Sequence, residues 1–97
     1  MRIIAHRTII AYSKQHADAK TALDNWYRIV KLAIWKDFKD LKNTFKSADY
    51  VGNQRYVFNI KGNSYRLVGK ILFIQQILYI RFIGTHEEYD KIDCSTI

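Results

Sequence analysis

Three consecutive stretches of alternating residues, Arg55 to Ile60, Ser64 to Ile74 and Ile77 to Ile83, constrain this chain more than anything else in it. A period of two commits each side chain to one face of a sheet. A two-residue Gly62-Asn63 turn places Ile60 opposite Tyr65 and Phe58 opposite Leu67. A tight Gln75-Gln76 turn sets Ile74 against Ile77, and with it Leu72 against Tyr79, Lys70 against Arg81 and Arg66 against Thr85. One face is then predicted to be core, holding Phe58, Ile60, Tyr65, Leu67, Ile71, Phe73, Leu78, Ile80 and Phe82. The other receives Arg55, Asn59, Lys61, Arg66, Lys70 and Arg81. The two hairpins support each other, because a slip of one residue in either would reverse every assignment.

No acidic residue lies between Asp49 and Glu87, so every formal charge on these hairpins is positive. Like charges directly opposite on a sheet cost about 0.2–1 kcal/mol per pair, which makes Lys70 beside Arg81 an odd choice for stability alone. Cationic side chains fanning into water would explain an isolated pair. A convergent set with no acid among it points instead to a bound anion. A net charge of +7 and a pI near 9.6 agree, and favour nucleic acid or an acidic protein as partner.

Ninety-seven residues, 48% of them hydrophobic, suffice for one domain spanning 1–97 with a core that needs no staples. The lone Cys94 excludes an intramolecular disulfide and fits a reducing cytoplasm. Met1 to Ile4 is too short an apolar run for a signal peptide, and no stretch approaches the ~20 apolar residues of a membrane helix. A soluble cytoplasmic protein without a membrane partner is expected. With one thiol, and with His6 and His16 lacking ligand partners at useful spacing, no metal site is expected either. Neither a phosphate-cradling glycine loop nor a nucleophile elbow is present, so the pattern implies no cofactor.

The first half reads as a short strand, Arg2 to Ala5, followed by helices. Leu23, Trp26, Tyr27, Val30 and Ala33 recur at helical spacing over Asp18 to Ala33, with Lys20, Asp24, Arg28 and Lys31 on the opposite side. Helices are also predicted over Thr8 to Gln15 and over Asp37 to Phe45, the latter with Asp37 as N-cap. Trp26 and Trp35 at such spacing read as packing residues rather than base-stacking platforms. Ser47 to Asn53 reads as a turn-rich loop. Gly69, mid-strand on the core side, marks a close approach or a bulge, and a bulge there would unsettle the facing of Lys70.

Catalytic chemistry is expected just after the last strand. Thr85 and Glu88 form a capping-box pattern that starts a short helix, and helical spacing brings His86, Tyr89 and Asp90 near one stripe of it. Because Thr85 adjoins Arg66, this cluster begins at the edge of the cationic face. Imidazole is the usual general acid or base near neutral pH, and a nearby phenol or carboxylate can orient it.

Two stretches resemble the signature regions of the HigB family of bacterial toxins. They are Val57-Phe58-Asn59-Ile60-Lys61-Gly62-Asn63-Ser64-Tyr65-Arg66-Leu67-Val68 and Tyr79-Ile80-Arg81-Phe82-Ile83-Gly84-Thr85-His86-Glu87-Glu88-Tyr89-Asp90-Lys91-Ile92-Asp93. Similarity continues through Asp18-Ala19-Lys20 and Asp24-Asn25-Trp26-Tyr27, and so covers nearly everything from Met1 to Asp93. The tail Cys94-Ser95-Thr96-Ile97 lies outside it. This resemblance implies an α+β, RelE-like fold: a small antiparallel sheet, N-terminal helices on one face, and a short C-terminal helix. It also implies an mRNA endoribonuclease acting on the translating ribosome, restrained by a cognate HigA antitoxin with a helix-turn-helix domain. The stoichiometry of that complex is left open, a heterotetramer being one form.

On that footing the expected reaction is metal-independent attack of a ribose 2′-OH on the adjacent phosphate. Arg66 and Arg81 would neutralise the phosphate as it gains charge. Lys61, Lys70 and Arg55 would hold flanking phosphates, Asn59 a ribose or base, and Lys91 would add a cation. His86 is the expected acid or base with Tyr89 as partner or alternate, since toxins of the wider superfamily work with Arg, Lys and Tyr. A non-catalytic module that blocks translation sterically, or a protein-binding domain gripping an acidic partner, would share the same basic face.

Overall fold

A computed structural model describes residues 1–97. The chain runs β1 (Arg2–Ile4), α1 (His6–Gln15), a 3₁₀ turn (Ala17–Ala19), α2 (Lys20–Leu32), α3 (Phe38–Thr44), β2 (Asp49–Gly52), β3 (Arg55–Ile60), β4 (Tyr65–Leu72), β5 (Ile77–Thr85) and α4 (His86–Asp90). The strands form one sheet in the order β1-β5-β4-β3-β2. All neighbours are antiparallel except β1, which runs parallel to β5, so the sheet is mixed. No helix is long and apolar enough to cross a membrane.

Helices α1 to α3 bury one side of the sheet. Leu23, Trp26 and Val30 of α2 face it at helical spacing, while Lys20 and Asp24 pair on the exposed side at 2.6 Å. Asp37 caps α3, its side chain accepting from Asp40 N at 3.1 Å. Both tryptophans lie in this core: Trp26 meets Phe58 edge-on at 5.3 Å, and Trp35 donates from Nε1 to Thr44 Oγ1. Phe58, Ile60, Tyr65, Leu67, Ile71 and Leu78 complete it from the sheet.

The first hairpin has the expected register, with Ile60 against Tyr65 and Phe58 against Leu67. The second does not. Leu72 pairs with Ile77 rather than Tyr79, because the connection spans Phe73 to Gln76 and Gln76 Nε2 anchors it to Trp35 O and Phe73 O. That shift is even and preserves the facing of both strands at the turn. Further along, β5 carries one extra residue: Gly69 pairs with Ile80 but Val68 with Phe82, leaving Arg81 on a bulge. Beyond the bulge parity reverses. Ile83, not Phe82, packs against the core, and Arg66 stands opposite Gly84 rather than Thr85. The bulge falls where a Cβ on Gly69 would press into Leu78, and the extra residue belongs to β5, so Lys70 keeps its predicted side.

The Ser47 to Asn53 segment, expected as loop, contributes the edge strand β2. Pairing with β3 makes it a strand, and it breaks register at Gly52 before turning through Asn53 and Gln54, both at positive φ.

Candidate active site on the cationic sheet face

The side of the sheet away from the helices carries Arg55, Val57 and Asn59 from β3, Arg66, Val68, Lys70 and Leu72 from β4, and Ile77, Tyr79, Phe82 and Gly84 from β5. Lys70 is flanked by Arg55 and Tyr79 instead of Arg81, so the like-charge pair across strands is Arg55 with Lys70. Asn59 lies opposite Arg66. Asp49 stands opposite Val57 on β2 and returns one carboxylate to the border of a face that looked free of acid in the sequence.

Lys61 does not join this group. At φ 52 it turns toward the helices, where Asp18 receives it at 3.1 Å and accepts a 2.7 Å hydrogen bond from Tyr65 OH. Left-handed backbone at a turn redirects a side chain regardless of strand parity. Tyr65 and then Lys61 hold the Asp18 carboxyl below its usual range. Glu88 and Asp93 are likewise lowered, by the hydrogen bonds from Thr85 and Ser95. Carboxyls depressed in the fold stabilise it above their ordinary pKa, and that contribution is lost as pH falls through their lower folded values. The melting temperature should therefore drop below about pH 4. In an Asp18→Asn variant the drop should be shallower; identical profiles from pH 6 to 2 would show that this carboxylate is unimportant.

At one end of the face, α4 forms as its sequence predicts. Thr85 Oγ1 accepts from Glu88 N at 3.2 Å and Glu88 Oε1 accepts from Thr85 N at 2.8 Å, a complete capping box. Thr85→Ala should lower stability by about 1 kcal/mol in denaturant melts; no measurable loss would mean that α4 is held from elsewhere. Gly84 enables this corner, because a Cβ there would collide with the Phe82 ring and approach Glu88 Oε1 at 3.1 Å.

His86 Nδ1 lies 3.0 Å from Asp90 Oδ2. The carboxylate thus stands within ion-pair distance of one ring nitrogen, and Nε2 is the other. Tyr89 packs under Arg66, whose guanidinium carbon stands 5.8 Å from the ring centroid, and its hydroxyl shares a 3.4 Å contact with Cys94 Sγ. Burial and then Cys94 push the phenol up to about 12, with Arg66 opposing them. At neutral pH Tyr89 is therefore protonated. Arg66 itself donates to Asn63 O at 3.2 Å. Lys91 is exposed just past α4 and forms no ion pair.

Arg81 leaves its bulge on the same side as Arg55: Arg55 Nε and Nη2, at 2.9 and 2.6 Å, and Arg81 Nε, at 3.2 Å, all donate to one oxygen of Ile97. The face is thus not open as the sequence implied. Val57 and Val68, on the charged side, are 4% and 0% exposed, and the chain after α4 crosses this side to reach Arg55 and Arg81 at Ile97. Valines at charged-side positions, together with Ile92 and Ile97 in the tail, were the available signal.

A helix-backed mixed sheet of this kind is consistent with the α+β arrangement of the RelE-like class. The model of the HigB toxin family, described as the RelE-like toxic component of a toxin-antitoxin system, matches residues 19–92, and the chain belongs to that family. The mRNA interferase toxin HigB of Escherichia coli K12 is 32% identical over 93 residues, covering 93% of this chain and 88% of that protein. The mRNA interferase HigB of Shigella flexneri gives the same figures, and that of Escherichia coli O6:H1 strain CFT073 is 26% identical over 94 residues, covering 95% and 91%. As the toxic component of such a system, the chain has an antitoxin as its partner.

Proposed function

We propose that this toxin, acting as one domain over residues 1–97, is a ribosome-dependent mRNA endoribonuclease. The observation that carries this reading is the placement of Arg55, Arg66 and Arg81 on one sheet face that ends at the His86-Asp90 pair and Tyr89. The names of its relatives, mRNA interferases over most of their length, support it.

In the proposed reaction a ribose 2′-oxygen attacks the adjacent phosphorus and the 5′-oxygen leaves, giving a 2′,3′-cyclic phosphate and a 5′-OH. Nε2 of His86 takes the 2′-OH proton and Tyr89 supplies one to the departing oxygen. Arg66 and Arg81 bear the charge that builds on the phosphate, and all these groups are side chains, so the reaction needs no metal. Arg55, Lys70 and Lys91 hold flanking phosphates and Asn59 meets a sugar or base. Lys61, engaged by Asp18, would have to exchange that partner to contribute. The setting is the cytoplasm, and the partner a HigA-type helix-turn-helix antitoxin, as a heterotetramer.

Mapping mRNA ends in a translation extract tests the reading. Cyclic-phosphate ends at defined positions are expected. Arrested translation with intact mRNA would make the protein a steric blocker instead.

A further inference from the structure

We propose that Asp93 to Ile97 form an intramolecular strap that engages the phosphate-binding groups of Arg55 and Arg81, so that RNA must displace it to bind. This inference rests on the RNA-cleaving reading and adds regulation of the same site. The strap is anchored at three levels. At its start Asp93 Oδ1 accepts from Ser95 N and Oγ at 3.1 and 2.7 Å, while Asp93 O accepts from Thr96 N and Oγ1, which folds the segment into a turn. In its middle Asn53 Nδ2 donates to Ser95 O at 2.9 Å. At its far end Ile97 presents the oxygen shared by Arg55 and Arg81.

Val57 and Val68, on the same side of the sheet, are both buried. The arginines nonetheless favour a different occupant. RNA offers these two guanidinium groups separate phosphates, the reacting one at Arg81 and a flanking one at Arg55, in place of the single Ile97 oxygen that they share, and phosphate is a strong partner for each fork of donors. A tethered segment competes at an effective concentration in the millimolar range, so even a weakly held strap lowers the apparent affinity of a ligand that must displace it. Displacement also reaches the catalytic end of the face. It would take Cys94 and part of the cover away from Tyr89, leaving the ring beside Arg66.

Binding of a single-stranded RNA carrying 2′-O-methyl groups, which cannot be cleaved, separates this from the chemistry. An Asn53→Gly, Asp93→Ala double variant removes the tie from the sheet to Ser95 and the side-chain bonds that shape the strap's turn, both outside the proposed machinery, glycine tolerating the positive φ of residue 53. It should bind about three- to tenfold tighter than wild type, with kcat/KM for mRNA raised in proportion. Asp93→Asn, which keeps the accepting oxygen without its charge, should stay near wild type; a gain equal to that of the double variant would assign the effect to charge and overturn the strap. In the wild-type protein, hydrogen exchange at Ser95 and Thr96 should quicken when RNA is added. Unchanged protection, or equal affinities, would overturn the strap alone, whereas RNA bound by neither protein would overturn the RNA reading and the strap with it.

Discussion

Arg81→Ala should lower the single-turnover rate of mRNA cleavage by about 10²–10³-fold, the usual cost of removing one well-placed donor to a transition-state charge. The side chain is exposed and its one hydrogen bond runs to Ile97, so stability should change by less than ~0.5 kcal/mol. The bulge on β5 makes the position distinctive: an extra residue between Ile80 and Phe82 aims the guanidinium at the cradle it shares with Arg55. Losing that contact also loosens the strap, which should help RNA in, so a drop in turnover would have to come from the chemistry. Arg55→Ala is the comparison. It should raise KM and flatten the salt dependence while sparing kcat, as a flanking phosphate contact does. If Arg81→Ala behaved in that way too, its place at the reacting phosphate would be lost.

His86→Ala should be of similar or greater consequence, about 10²–10⁴-fold in the cleavage step, the range attributed to a positioned acid or base. Asp90 Oδ2 lies 3.0 Å from Nδ1, so Asp90→Asn should slow cleavage less than His86→Ala by weakening the hold on the imidazole. Tyr89→Phe probes the other proton. In the proposed reaction this protonated phenol supplies the proton to the leaving group, so its loss should slow departure of the 5′-oxygen without changing where the mRNA is cut. Wild-type cleavage by His86→Ala together with an inactive Tyr89→Phe would transfer the acid–base work to the phenol.

Much of this was legible in the chain because it is local. The capping box at Thr85 and Glu88, the Asp37 cap, the α2 stripe and the Ile60–Tyr65 register each depend on residues a few positions apart. β2 was not legible, since Asp49, Gly52 and Asn53 are turn formers by propensity and become strand and turn through pairing with β3. The second hairpin misled in two ways. Gln75-Gln76 looked like a tight turn, yet Gln76 is drawn to Trp35 O, a partner from the helical half; and the bulge that sets Arg81 apart lies next to Gly69 on the neighbouring strand. Lys61 followed its backbone to Asp18, far away in sequence.

Alternation and spacing alone determined that the second half is a sheet with one apolar side, that Arg55, Arg66 and Lys70 share the other side, and that a short helix carrying His86, Tyr89 and Asp90 closes it. Those properties repeat every two residues or every turn, and nothing distant alters them. Only the tertiary structure decided that Phe82 and Ile83 exchange sides, that Lys61 pairs with Asp18, and that the tail lies across the arginines. Each of these is a choice between arrangements that differ little locally, and it is decided by which distant groups offer a better-packed or better-hydrogen-bonded partner.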